Sequence, residues 1–250
     1  MTVKFMLQPD GTLLAARFAY MPNKLRYCGG DKAEVLLQYL KAGQSDPGLT
    51  GLLSEFQTMY PYLRLIAEAN KILNPFDWRV VEAYWIGNEL LENVSMEKFY
   101  RYLVDEQKLK KRFKLKLLEQ VFGKIPAGAR PHHNWHVFNL PKRTGHYPVE
   151  HNLCTMDECR IAVAQVKSQK SKVKSISQKL KVFVRPLISS HDKVLIGEMA
   201  EREVWAEGSE NYKAGDLVAV HWGWVCGRLN ETQAGNLEKW TEWNLRLVNT

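Results

Sequence analysis

The chain has 250 residues, 45% hydrophobic and 25% charged, with 35 Lys and Arg against 27 Asp and Glu for a formal net charge of +8. That length exceeds a minimal single domain and suits two, with enough chain for a sizeable core, and the positive balance admits acidic partners. No apolar run approaches the roughly 18 residues of a membrane-spanning helix, and the first ten residues lack the apolar stretch of a signal peptide. The four cysteines form no short disulfide framework, so a soluble, cytoplasmic protein is expected.

The first half reads as helices. Asp10 is placed to cap a segment from Thr12 to about Tyr20, ended by Pro22-Asn23, and Asp31 to cap Lys32 to Lys41. Asp46-Pro47 opens the next helix, since proline suits a first turn, and Pro61 breaks or kinks it. Asn74-Pro75 starts another, reaching about Asn93, with Val81, Tyr84, Trp85 and Leu91 as its apolar stripe. Ser95 opens a further helix, and the basic segment to Phe122 continues the pattern.

Gly123 to Pro131 is a breaker, and the texture then changes. Val137-Phe138 reads as a short strand, and Pro141 to His151 as a long loop. From Cys159 onward the period is two, through Ile161 and Val163, Val173 and Ile176, then Leu180, Val182 and Val184. Asp192-Lys193 and Gly215-Asp216 are turn signals between such runs, and short strands at this spacing suggest a small barrel. Asn230-Glu231-Thr232 starts a final helix with Leu237, Trp240, Trp243 and Leu247 on one side.

The clearest chemical signal is Cys159 with His221, each placed by this pattern on an alternating, strand-like run. A thiol and an imidazole brought together can hold a transition metal or activate a nucleophile. All seven histidines lie after residue 131, which rules out a His-containing metal site built by the N-terminal helices alone. Glu82 and Glu89 share a helix face but lack Glu-x-x-His partners, so Glu82 reads as a hydrogen-bonded structural acid. In His132-His133-Asn134-Trp135-His136, the first and last histidines share a face on a strand or a helix and are candidate ligands. Cys28, before Gly29-Gly30, is either a turn residue or a thiol activated by exposed backbone N–H groups. The lysines from Lys167 to Lys181 could track a nucleic-acid backbone, but no aromatics are interleaved, and a solvated face is the plainer reading.

Cys159-Arg-Ile-Ala-Val-Ala-Gln-Val166 resembles the opening strand of the small NiFe-hydrogenase assembly chaperones (HypC/HupF type), a Cys-Leu-Ala-Ile-Pro-Gly-x-Val pattern. Gly215-Asp-Leu-Val-Ala-Val-His221-Trp-Gly223 through Leu229-Asn-Glu-Thr is similar to their Gly-Asp-x-Val-x-Val-His-x-Gly segment and its Leu-Asp-Glu ending. Val163 and Ala164 stand where that pattern has proline and glycine. As a whole the chain resembles an uncharacterised bacterial and archaeal family, sharing Arg17 to Asn23, Tyr27-Cys28-Gly29 and Val81 to Asn88 with it.

The chaperone resemblance implies an OB-like barrel, Cys159 as an iron or partner thiolate and His221 as the accompanying imidazole. The expected fold is α+β. It has a helical domain over 1–125, a His-containing connector over 126–155, and a barrel closed by a C-terminal helix over 156–250. The expected function is an accessory assembly factor for a NiFe-hydrogenase, binding an iron fragment or immature subunit. Cys159, His221, His132 and His136 are its metal candidates, and Cys28, Trp222 and Cys226 its partner-binding candidates. The expected partner is the hydrogenase large subunit or a maturation scaffold. The alternatives are a metal-dependent enzyme whose Cys/His site lies at the domain interface, and a nucleic-acid-binding OB module.

Overall fold

The structure, a computed structural model, describes residues 9–140, 151–170, 177–207 and 210–250. Within them the chain is α+β: helices, then a five-stranded mixed sheet with a small two-stranded one, then a C-terminal helix. The expected loop from Pro141 falls outside the described residues, apart from His151, as do Val173 and Ile176.

Helix α1 (Gly11–Lys24) opens as expected, with Asp10 accepting from the Leu13 N–H at 3.0 Å. It runs through Pro22 instead of stopping there. Asn23 organises the following turn, donating to the carbonyls of Cys28 and Gly30 and accepting from the Lys32 N–H. Helix α2 (Ala33–Ala42) begins with Lys32 at the cap position, so Asp31 is not the cap. Helix α3 (Pro47–Ser54) is capped by Asp46. Pro61 neither breaks nor ends α4 (Met59–Ala69), because it lies in the first turn, where no intrahelical N–H is required. Helix α5 (Trp78–Trp85) starts on Asp77, not at Asn74-Pro75, and is shorter than the sequence suggests. Gly87, at φ +96°, turns the chain out of it, and a Cβ there would meet the Trp240 ring at 2.1 Å. Helix α6 (Met96–Asp105) is capped by Ser95, and the basic segment forms two short helices, α7 (Leu109–Arg112) and α8 (Leu115–Gly123).

Val137-Phe138 is not a strand but part of α9 (His133–Asn139), and α10 (Leu153–Cys159) follows. The strands are β1 (Ala162–Lys170), β2 (Ser177–Val184), β3 (Leu187–Ser190), β4 (Lys193–Ile196), β5 (Ala200–Glu207), β6 (Leu217–His221) and β7 (Trp224–Leu229). The larger sheet has the order β1-β2-β5-β7-β6, with β6 paired back to β1, so its pairings form a ring. The β5–β7 contact that completes it is a single parallel bridge, Trp205 to Trp224. Strands β3 and β4 form a separate hairpin whose turn, at His191 and Asp192, has positive φ at both residues. Helix α11 (Glu231–Val248) starts in a capping box between Asn230 and Gln233.

Alternation on β1 separates two cores. Ala162, Ala164 and Val166 join Leu180, Val182, Val204 and Val218 inside the ring. Ile161 belongs to the principal core and Val163 packs against it, together with Phe18, Tyr62, Tyr84 and Trp135 of the helices and Leu237 and Trp240 of α11. Asn134, fully buried, ties these parts together. Its side chain accepts from the Ile161 N–H at 2.7 Å and donates to the Ile161 carbonyl and the Thr241 hydroxyl, each at 2.9 Å. Asn134→Ala should cost about 2–5 kcal/mol in urea unfolding, because both polar groups of Ile161 lose their side-chain partner in the interior.

Candidate metal centre

Cys159 is the last residue of α10, separated from β1 by two residues, and not on the first strand as the alternation suggests. His221 is the last residue of β6, and the register Ala162↔Val220 brings it back beside the start of β1. The Trp222 N–H donates to the Glu158 carbonyl at 2.7 Å and fastens the end of β6 to the end of α10. The fragment that these two elements bring together is completed by His133, at the start of α9. One donor atom from each of His133, Cys159 and His221 lies within 4.8 Å of the others, the imidazoles buried and the thiol half-buried.

A proline in α1 holds one of these imidazoles. Pro22 has no N–H, so the carbonyl four residues earlier, Phe18, has no intrahelical donor at that position. The His221 Nδ1 lies 2.8 Å from this oxygen. A carbonyl only accepts, so Nδ1 carries the proton and Nε2 carries the lone pair. Metal-binding histidines commonly have this arrangement, the distal N–H fixed by a carbonyl so that ring orientation and tautomer are set. Pro22→Ala restores a competing donor for Phe18. The expected result is a roughly 10- to 100-fold loss of metal affinity by competition titration, with no loss of thermal stability.

His133 is held in the same way. Its Nε2 lies 2.9 Å from the Cys159 carbonyl oxygen and so donates to it, while Nδ1 faces the Tyr84 hydroxyl at 3.2 Å. The three donors border a cavity of about 60 Å³, room for a few water-sized groups, also lined by Cys28, Tyr84 and His136. Two imidazoles and a thiolate suit a borderline transition ion such as Zn, Cu or Fe far better than Mg or Ca, which favour oxygen.

The other expected site residues fall differently. His132 is the N-cap of α9, fully buried, accepting from the Asn134 N–H at 3.1 Å. Burial, with His133 alongside, pushes its imidazole down to about 3, so it is neutral at ordinary pH and stands apart from the three donors. His136 lines the cavity but its Nδ1 meets the Tyr62 hydroxyl at 3.1 Å, and it too is outside the group of three. Cys28 lines the cavity from the turn after α1, its backbone N–H donating to the Pro22 carbonyl. Trp222 stacks on Tyr27 at 4.2 Å between ring centres. Cys226 offers no partner surface: it is fully buried in the principal core, and burial raises its thiol far above the usual range.

Glu82 is a structural acid, accepting from Asn88 and from Gln233 of α11. Among the described residues of the hairpin, Lys167 and Lys181 pair with Glu201 and Lys179 with Glu203 of β5, so these three charges are partly neutralised. The spacing of the two terminal histidines missed His133. The signal is the helical set His133, His136, Val137 and Leu140, at i, i+3, i+4 and i+7, all of which line the cavity.

Among the described residues no helix is long and apolar enough to cross a membrane. No curated protein and no solved structure matches the chain. One family model matches over residues 7–250, nearly the whole length, and the chain therefore belongs to DUF6390, a family of unknown function.

Proposed function

We propose that this protein is a metal-binding accessory assembly factor for a NiFe-hydrogenase, carrying an iron fragment or engaging the immature large subunit or a maturation scaffold through His133, Cys159 and His221. The observation that carries it is the convergence of those three donors beside a small cavity. The C-terminal part supports the chaperone resemblance in two ways. Its strands pair in the ring order β1-β2-β5-β7-β6, which an OB-like barrel would require, and the cysteine that precedes the first strand meets the histidine that ends β6. A thiolate is a preferred donor for soft iron centres, and two neutral imidazoles complete a set that binds without adding further negative charge. The test is anoxic pull-down from hydrogenase-expressing cells with iron counted in the eluate. Co-purification of a hydrogenase subunit or scaffold with stoichiometric iron is expected; recovery of neither removes the assignment.

A metal-dependent enzyme is the second reading. The cavity beside the donors favours it, because a small reactant could occupy that space next to a bound ion. Metal that stays with the protein through the presence of a client, instead of leaving with it, would select this reading.

A further inference from the structure

Both ring nitrogens of His133 are engaged, and the way they are engaged singles out Tyr84. The Cys159 carbonyl takes the proton of Nε2, so the lone pair of His133 is on Nδ1, and the Tyr84 oxygen, 3.2 Å away, is the group that an ion using that lone pair would meet. Two ligands about 2 Å from one tetrahedral ion are separated by about 3.3 Å, so the hydrogen-bonded Tyr84 oxygen lies at a separation that a co-ligand would keep once it moved off the lone-pair axis to make room for the ion. Tyr84 also lines the cavity with His133, Cys159 and His221.

Its ring is fixed. It stacks on Tyr62 at 5.2 Å, meets the edge of Trp85 at 4.7 Å, and is 1% exposed. Helix α5 therefore presents the hydroxyl to the site in one orientation.

We propose that Tyr84 is the fourth ligand of the metal centre, giving a donor set of two imidazole nitrogens, one thiolate and one phenolate oxygen. This rests on the metal-binding role proposed above. When the ion binds, the phenolic and thiol protons leave to water through the cavity, and the Tyr84 oxygen exchanges its bond to His133 for a bond to the metal. Without the ion the hydroxyl donates to Nδ1 and holds the imidazole in place. Burial first, and then the nearby Tyr62, Cys28 and Cys159, raise the phenol well above its usual range. A hard oxygen beside a soft sulfur suits an iron ion better than a Cu(I) ion, which prefers thiolate and thioether donors.

The experiment loads wild type and Tyr84→Phe with Fe(III) alone under anoxic conditions, and separately with Zn(II) alone in a competition titration. Phenylalanine keeps the stacked ring, and near-ultraviolet circular dichroism checks that the fold is unchanged. The expected result is a visible charge-transfer band with phenolate ring vibrations in the resonance Raman spectrum of the ferric wild type. Tyr84→Phe should lack both and bind Zn(II) at least about tenfold more weakly. Wild type that holds iron without phenolate vibrations overturns the assignment while leaving the metal site standing. So do vibrations that persist in Tyr84→Phe, which would belong to another tyrosine. Wild type that binds neither ion overturns the metal site itself, and Tyr84's role with it.

Discussion

Under the proposed function, Cys159→Ala is expected to release bound metal and abolish association with a hydrogenase scaffold or large subunit, while the protein stays folded. Cys159 is the only thiolate in the group of three and is half-buried at the end of a helix, where alanine keeps the backbone and removes the donor. Loss of the soft ligand should lower affinity by at least about 100-fold, at or beyond the upper end of what supporting residues contribute. His221→Ala should cost less, about 10- to 100-fold, because His133 still supplies an imidazole. Cys28→Ala should change metal binding little, since Cys28 lies outside the group of three. Metal per protomer by elemental analysis, alongside anoxic pull-down, checks all three. Full-strength association by Cys159→Ala would remove the metal-carrier reading.

The second large effect is on stability. Trp240→Ala should cost about 3–5 kcal/mol, read from urea unfolding. Trp240 is 6% exposed, sits over Gly87 where the chain leaves α5, and lies parallel to the His132 ring at 6.2 Å between centres. It thus seals α11 against both the end of α5 and the start of α9. An unchanged midpoint would show that α11 contributes nothing to the principal core. Gly87→Ala probes the same contact from the other side, where the added Cβ would have to displace the indole.

Much of the α+β order is legible in the sequence because the chain marks it locally. Asp10, Asp46, Ser95 and Asn230 each accept the backbone N–H that their position suggests, and Leu237, Trp240 and Leu247 fall on the buried side of α11. Failures occur where tertiary contacts override a local sign. Asn74-Pro75 looks like a helix start, yet Asp77 accepts from the Arg79 N–H and begins α5 there. Val137 and Phe138 have strand-forming side chains but sit in a helix whose start is fixed by His132. That same cap determines which histidine reaches the site. With His132 bonded back to the Asn134 N–H, the helix begins one residue later and turns His133 toward Cys159. The Cys159–His221 meeting is visible in advance because alternating runs mark the sequence beside both residues, although Cys159 itself ends α10. His133 is marked only by the helical set it forms with His136, Val137 and Leu140, and Tyr84 is brought in from α5 by long-range packing that leaves no mark in local spacing.

The bond between His221 and the Phe18 carbonyl spans 203 positions of the chain. It bears on the order of events during synthesis. Until β6 has left the ribosome and packed against α1, His221 cannot be oriented and the set of three donors is incomplete. A nascent chain at residue 200 already carries His133 and Cys159 but offers an ion only two of the donors. Contacts this distant in sequence form late, since closing a long loop must precede any gain from it. On the metal-binding reading proposed above, capture of an ion is therefore coupled to the long-range closure of β6 onto α1.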